Sequence, residues 1–527
     1  MEASYERRWW TLAVLCLSLV MVILGNTVLN VALPTLVTEL GATSTQLQWM
    51  VDSYALVFSG LLLTGGALGD RFGRKGALQI GLAIFGLGSV LSTFATSAGH
   101  LIATRALMGL GAALVMPATL SILTHVFPAA ERARAIAIWA GLAASGAAVG
   151  PVAGGWLLEH FWWGSVFFLN VPIVVVALVA GRLLVPRSND PDHPPLDPGG
   201  ALLSIAGLGA LLYAIIEAPT YGWADPLTLA GFAVAGAGLA GFAAWELRAA
   251  HPMLDLRFFR DRRLSGAATA ITLTFFAMFG TFFLLTQYLQ LVLGYSALEA
   301  GIRTLPLALG IMIFAPQSAR VVEWLGPRRV ITAGLVIVAG GLVLLSTQGV
   351  DANYAALAGC LVVLALGMGL TMPPSTTLIM ASLPSGKAGV GSAVNDTTRE
   401  LGGALGVAVL GSLLTSVYAS SLQPALQALP ASAAKAATAS LGGALDVARR
   451  MGDNAGVALS EAARSAFVDA MGVAMLVGAA VALASAALVA RFLPAGITVP
   501  AHPAPAADEE PQALTEPALS PVSAVER

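Results

Sequence analysis

Charge is what this chain has least of. Only 11% of its 527 residues are Asp, Glu, Lys or Arg, while 57% are hydrophobic and the mean hydropathy is +0.81. Soluble domains carry roughly a quarter charged residues, so a water-soluble globule is excluded. Cysteine is nearly absent. Cys16 and Cys360 fall in separate apolar stretches, which rules out a disulfide framework and predicts two buried thiols. A net charge of −2 says little about partners, and no basic cluster suggests nucleic acid. No phosphate-binding P-loop, metal-ligand cluster or nucleophile triad occurs, so the chain is expected to be neither an enzyme nor a cofactor or metal binder.

What is present is a recurrence of apolar runs of about 20 residues, each long enough to cross a ~30 Å hydrocarbon layer as a helix. Fourteen spans are predicted, at 10–33, 47–68, 77–95, 100–123, 133–158, 164–185, 200–217, 226–247, 265–293, 302–321, 330–347, 355–381, 388–418 and 466–493. The first run is too long for a signal-peptide core and no small-residue cleavage site follows it, so it is expected to be retained. Counting a basic residue within three positions of a span end with the segment it adjoins, placing both termini in the cytoplasm puts 20 of the 27 basic residues in cytoplasmic segments, 5 outside and 2 (Arg105 and Arg399) within spans, as the positive-inside rule requires.

Between spans, 186–199 reads as a proline-broken polar linker, and His251 to Arg263 as a charged segment on the membrane surface. The Ala/Ser-rich region 419–465 reads as an external loop with room for a short helix. Residues 494–527, rich in Pro and Ala with Asp508, Glu509 and Glu510, are expected to form a disordered cytoplasmic tail.

The densest cluster of polar residues is the turn Gly66-Ala67-Leu68-Gly69-Asp70-Arg71-Phe72-Gly73-Arg74-Lys75. Asp70 is placed to cap the following helix and to pair with a nearby cation. A degraded copy of this turn occurs as Glu323-Trp324-Leu325-Gly326-Pro327-Arg328. Gly111-x-x-Leu114-x-Met116-Pro117 matches Gly367-x-x-Leu370-x-Met372-Pro373 at an offset of 256, and Gly146-x-x-x-Gly150 matches Gly402-x-x-x-Gly406 at the same offset. These repeats predict two six-helix halves, 10–185 and 264–493, with a linker and two extra spans at 186–263 between them. Parallel repeats of this kind build transporters with a central site.

Buried charge marks the candidate site, because an ionisable side chain in hydrocarbon must pair or face a water-filled cavity. Arg105 lies inside the fourth span, where it faces the protein interior or snorkels to the nearby interface. Asp52 stands near the start of the second. In the thirteenth, Asp396 and Glu400 are four residues apart and share a face beside Arg399. They read either as proton-coupling carboxyls or as a static ion-pair cluster with Arg399. The ninth span carries Phe279, Phe283 and Gln287 on an aromatic face suited to lipophilic solutes, and Asn26 and Asn30 add polarity in the first.

The turn pattern G-x-L-G-D-R-x-G-R-K resembles the signature loop of the major facilitator superfamily. Leu101-x-x-x-Arg105-x-x-x-Gly109-x-Gly111 resembles its helix-4 motif. Gly146-Ala147-Ala148-Val149-Gly150-Pro151-Val152-Ala153-Gly154-Gly155 resembles the helix-5 motif of its antiporters, with Ala137 replacing an earlier glycine. Leu24-Gly25-Asn26-Thr27-Val28-Leu29-Asn30-Val31-Ala32-Leu33-Pro34 resembles the helix-1 signature of its fourteen-helix drug:proton antiporter branch, with Gly25 where an Asp normally stands.

The resemblance implies an all-α membrane protein of the major facilitator fold in a bacterial plasma membrane. It implies a monomer in the lipid bilayer that exports small lipophilic substrates against protons by alternating access. Gly66, Asp70, Arg71, Gly73 and Arg74 would form the conformational latch, and Arg105 would take part in proton transfer. Gly146, Gly150, Pro151, Gly154 and Gly155 would form the antiporter element. The missing helix-1 acid leans toward a dedicated exporter of one natural product or siderophore. A nutrient symporter, which the Gly150-Pro151 element argues against, and a non-transporting sensor are the remoter alternatives.

Overall fold

The computed structural model describes residues 7–188, 196–383, 388–427, 429–452 and 454–494. Half of the polar linker (189–195) and all of the tail from 495 onward lie outside them. Among the described residues there is no strand, and fourteen helices are long and apolar enough to cross a membrane. They are α1 (Arg8–Leu40), α2 (Ser44–Phe72), α3 (Arg74–Thr93), α4 (Ala98–Val126), α5 (Ala129–His160), α6 (Ser165–Leu184) and α7 (Pro198–Tyr221). The series continues with α8 (Pro226–Glu246), α9 (Arg262–Val292), α10 (Ala297–Leu325), α11 (Pro327–Ser346), α12 (Tyr354–Ala381), α13 (Ala388–Leu426) and α14 (Asn454–Phe492).

Their starts are chemically marked. Thr43 and Gln46 form a reciprocal capping box on α2, at 3.2 and 3.1 Å. Asp197 and Asp225 cap α7 and α8, each with a proline at the first helical position. Glycine sets the tightest reversal: Gly73, at φ 112°, separates α2 from α3 without a loop.

The repeated glycines perform the same packing twice. In the first half a Cβ on Gly111 of α4 would lie 2.6 Å from Phe85 N of α3, and in the second a Cβ on Gly367 of α12 would lie 2.7 Å from Val338 N of α11. Gly154 of α5 crosses α1 against Val28, while Gly402 and Gly406 of α13 cross α9 against the carbonyls of Thr272 and Phe276. No side chain larger than hydrogen fits these crossings, which is how small residues let membrane helices approach.

Of the two extra helices, α7 is central and α8 lies outside it. α7 and α8 pack on one another through Gly207 and Gly238. α7 then lies on both halves: Trp49 Nε1 of α2 donates to Glu217 Oε1 at 3.1 Å, and Ser412 Oγ of α13 donates to Ile215 O at 2.8 Å.

The region 419–465, expected as a loop with at most a short helix, is almost wholly helical where it is described. α13 continues to Leu426, short helices follow at Ala431–Ala439 and Leu441–Met451, and α14 begins at Asn454. Its alanine content favours helix strongly. At 39 residues each, α13 and α14 run to about 58 Å and project beyond a ~30 Å core. Tyr418 Oη donates to Ala437 O at 3.1 Å to close this extension.

Among the described residues the seam between the halves is hydrogen-bonded at one end only. Gln290 Nε2 donates to Val31 O at 2.9 Å, Leu298 N to Glu159 Oε1 at 3.2 Å and Ser412 Oγ to Gln48 Oε1 at 3.2 Å. Gly155 sits beneath the backbone of Ala297 and Leu298, and Gly301 beneath the carbonyl of Pro151. All of these lie far from where α1 begins and α14 ends. Near those ends Ala137, Ile138, Ala140, Gly141 and Leu142 of α5 are exposed, and a Cβ on Gly141 would meet no atom within 4 Å.

Candidate functional site

Arg105 is wholly buried, which excludes snorkelling. Its Nε donates to Met50 O at 3.1 Å and its Nη1 to Gly25 O at 2.8 Å, while the guanidinium lies 4.4 Å from the Tyr54 ring centroid. One side chain thus ties α4 to α1 and α2, with Nη2 left unpartnered. A planar fork with several donors suits this; a lysine's single point does not.

The same contacts account for Gly25. A Cβ there would lie 2.7 Å from Phe85 Cζ and 3.4 Å from Met108 Cε, so the position is filled from α3 and α4. An acid at this place has no room while Phe85 stays where it is.

Asp52, two residues beyond Arg105's acceptor on α2, is 0% exposed, and neither of its carboxylate oxygens has a hydrogen-bond partner. It lines a small cavity of about 10 Å³ with Asn26, Val51, Ala55, Phe279, Glu400, Gly403 and Ala404, a space of about one water molecule. The lining comes from α1 and α2 of one half and α9 and α13 of the other. Asn26 Oδ1 is likewise buried and unpartnered.

Glu400 makes no hydrogen bond or ion pair with the described residues, yet lies within electrostatic reach of Tyr54 and Arg105. Its neighbours on α13 are arranged differently. Asp396 pairs with Arg399 at 3.9 Å and accepts from Asn395 Nδ2 at 3.3 Å. Asn395 Oδ1 in turn accepts from Thr376 Oγ1 at 3.0 Å. Arg399 also lies 5.3 Å from the Phe275 ring, which stacks on Phe279 at 6.0 Å. The two acids on one helix face therefore sit in different surroundings: Asp396 in a polar cluster with an arginine, Glu400 in the cavity with Asp52.

Of the five residues expected at a substrate cavity, the structure brings two together. Asn26 and Phe279 share the cavity lining. Asn30 and Gln287 instead donate to backbone carbonyls of their own helices, Asn26 O at 3.3 Å and Phe283 O at 3.1 Å. Phe283 is packed in the core at 1% exposure.

At the turn, Asp70 Oδ1 accepts from Arg74 Nε at 2.7 Å. The expected cap does not form, because Asp70 stands inside the last turn of α2 and the residue that precedes α3 is Gly73, which has no side chain to cap it. Lys75 Nζ donates to the carbonyls of Arg182 and Val185 at 2.8 and 2.6 Å, fastening the turn to the end of α6, and Arg71 is exposed. In α5, Gly150 and Gly154 seat α1, whereas Gly155 and Pro151 meet α10 of the other half; Gly146 keeps ordinary contact with Ile23. Cys16 and Cys360 are buried free thiols.

Two residues of this region carried no sequence signal. Gln48 bridges to Ser412 and Thr415 across the seam, but a glutamine in the first turn of an amphipathic start is ordinary. Tyr54 was hidden among aromatic residues of an apolar run.

A family model described as Major Facilitator Superfamily matches residues 15–407. The chain belongs to the Major Facilitator Superfamily. Among superfamily members it is 38% identical over 484 residues to the multidrug efflux pump LfrA of Mycolicibacterium smegmatis, covering 92% of this chain and 96% of that one. The methyl viologen resistance protein SmvA of Salmonella typhimurium is 37% identical, covering 89% and 95%. The tetracenomycin C resistance and export protein of Streptomyces glaucescens is 34% identical, covering 92% and 91%. A crystal structure of a bacterial homolog to the human lysosomal transporter Spinster, in an inward-facing and occupied conformation, superposes with a TM-score of 0.66 at 16% identity, covering 92% of this chain and 97% of that one. The fold is thus that of a superfamily transporter.

Proposed function

We propose that this superfamily member exports lipophilic drugs or antibiotics across a bacterial plasma membrane in exchange for protons, by alternating access between halves 10–185 and 264–493. Both termini are cytoplasmic in this reading, so the bonded end of the seam faces outward and the structure is an inward-open state. The Asp70–Arg74 pair then closes within its own turn, leaving Asp70 free of the second half, as a released latch should be.

The observation that carries the proposal is the unpartnered carboxyl of Asp52 in a cavity shared with Glu400. An ionised carboxylate held this way costs several kcal/mol, so the outer seam closes over Asp52 once it has taken a proton. One water in the cavity suffices to pass that proton to Glu400 on the other half. Glu400 releases it toward the cytoplasm, its anion stabilised by the field of Arg105. The stacked Phe275 and Phe279 and the free Asn26 oxygen offer a lipophilic solute an apolar wall and one polar handle. Asp396 serves mainly to hold Arg399 and Asn395 in place. The seam lies inside one chain, so a monomer suffices.

The test is collapse of an imposed pH gradient in everted vesicles, with lipophilic cations, neutral antibiotics and siderophores added in turn. Asp52→Asn and Glu400→Gln should each abolish proton-driven efflux while the protein still inserts and exchanges labelled substrate down its gradient. Unchanged efflux in both variants refutes the relay. A second reading, a dedicated natural-product exporter, is favoured by the closed position at Gly25 and by the likeness to the tetracenomycin C protein. Gradient collapse with one compound class rather than several would select it.

A further inference from the structure

At the cytoplasmic end of the second half a crevice of about 200 Å³ runs between α9 and α14, lined by Phe259, Arg262, Ser265, Gly266, Leu488 and Phe492 among others. It is too small for a drug-sized ligand, whose pockets run to roughly 300–1,000 Å³, and it plays no part in the central site. Its walls are aromatic and aliphatic, and Leu488 and Phe492 are 47% and 48% exposed. Its floor is Gly266, and its mouth carries a guanidinium. Arg262 opens α9 and Phe492 closes α14, so the mouth stands at the depth of the lipid headgroups.

The surrounding charge is one-sided. Arg260, Arg262, Arg263 and Arg491 are exposed and make no ion pair among the described residues. Asp261 is spent on the helix, where it accepts from the amide of Arg263 at 2.8 Å. An anion at this mouth is therefore met by side-chain cations rather than by free helix amides. An apolar slot below and unpaired arginines above match an acyl chain and a phosphate joined in one molecule. The inner leaflet supplies such molecules, and basic pockets between helices on that side select anionic headgroups.

We infer that this crevice binds one anionic phospholipid of the inner leaflet, with its headgroup at Arg262 and an acyl chain against Gly266 and Phe492. The inference rests on the proposed orientation but not on any transport activity. The surface segment before α9 already packs on the second half through Phe259, so that wall of the crevice is in place before any lipid binds.

The test is native mass spectrometry of the purified full-length protein, titrated with phosphatidylglycerol or with phosphatidylcholine of identical chains. One phosphatidylglycerol should be retained in preference to phosphatidylcholine. Arg262→Ala, a surface change that leaves the fold intact, should weaken that preference by about fivefold, as expected for one interfacial arginine. Gly266→Leu, which fills the crevice, should abolish it. Arg134→Ala, an exposed arginine of the first half, should leave it unchanged. Equal retention of the two lipids, no effect of Arg262→Ala, or an equal loss with Arg134→Ala would overturn the proposal. Because only lipid is read, a failed transport assay would leave the result standing.

Discussion

On the proposed orientation the bonded end of the seam is the outer one, and a single methyl group can loosen its closure. Gly155 on α5 faces α10 of the opposite half, and a Cβ there would lie 2.5 Å from Ala297 O and 2.6 Å from Leu298 Cα. Both atoms are backbone, so no rotamer change relieves the overlap. The helices must part by about 1 Å to restore a normal contact, and overpacking of this kind costs about 1–3 kcal/mol. The cost falls only on the state with this seam closed. The gain in helix propensity from Gly to Ala applies to both states and cancels. Gly155→Ala should therefore shift the balance toward the outward-open state by roughly 5- to 150-fold. The assay is labelling of Ala408→Cys by an impermeant maleimide, in a background lacking Cys16 and Cys360. Ala408 is 0% exposed and lies between α2, α7 and α13, so labelling from outside should rise. Gly141→Ala, where nothing lies within 4 Å, should not change it. If Gly155→Ala labels no faster than the parent, the α5–α10 contact does not govern closure.

Arg105→Lys should lose one of the two carbonyl bonds and the planar contact with Tyr54, at a cost of about 2–4 kcal/mol. A lower thermal midpoint in detergent together with lost efflux would show it, and a variant as stable and active as the parent would refute the bridging role. The pair joining the starts of α1 and α5 gives a pH dependence. Arg8 Nε and Nη2 donate to Glu131 at 2.7 and 3.0 Å, and these bonds hold the carboxyl below its usual range. A depressed carboxyl stabilises the fold above its unfolded value, about 4.3, and that contribution disappears as pH falls through the lower folded value. The thermal-midpoint difference between the parent and Glu131→Gln should thus be constant from pH 5 to 8 and shrink below about pH 4. A difference that persists at low pH would mean that the carboxylate charge is not its source.

The helices and the repeat were legible in the sequence for different reasons. Spans announce themselves because lipid demands long apolar runs, and the internal repeat does so because Gly111 and Gly367 meet the same steric need on equivalent helices. Arg105 stood out since any arginine in such a run must have a reason. What could not be read was which charges meet. Asp52 and Glu400 are not related by the 256-residue offset, and only the closure of one half on the other puts them in one cavity. Asp396 and Glu400 looked equivalent by spacing, yet Asn395 and Arg399 surround one and the cavity receives the other. The helical spacing of 419–465 was visible and suggested a short helix, but its full helical extent was not legible because its composition is too polar for a span.

The missing acid at Gly25 shows how far a sequence pattern goes before packing takes over. The substitution was visible, but its cause lies in Phe85 and Met108, on two other helices. With no side chain at this position, the carbonyl of Gly25 is open to Arg105 at 2.8 Å, and Phe85 occupies the space a carboxylate would need. Loss of the acid and the seating of Arg105 on α1 are therefore one arrangement. A carboxylate restored by Gly25→Asp would have to displace Phe85 before it could face a substrate. It would also stand close enough to Arg105 to compete for the guanidinium with Met50 O. In this chain the first helix anchors the arginine, and the proposed relay is left to the carboxyls of α2 and α13.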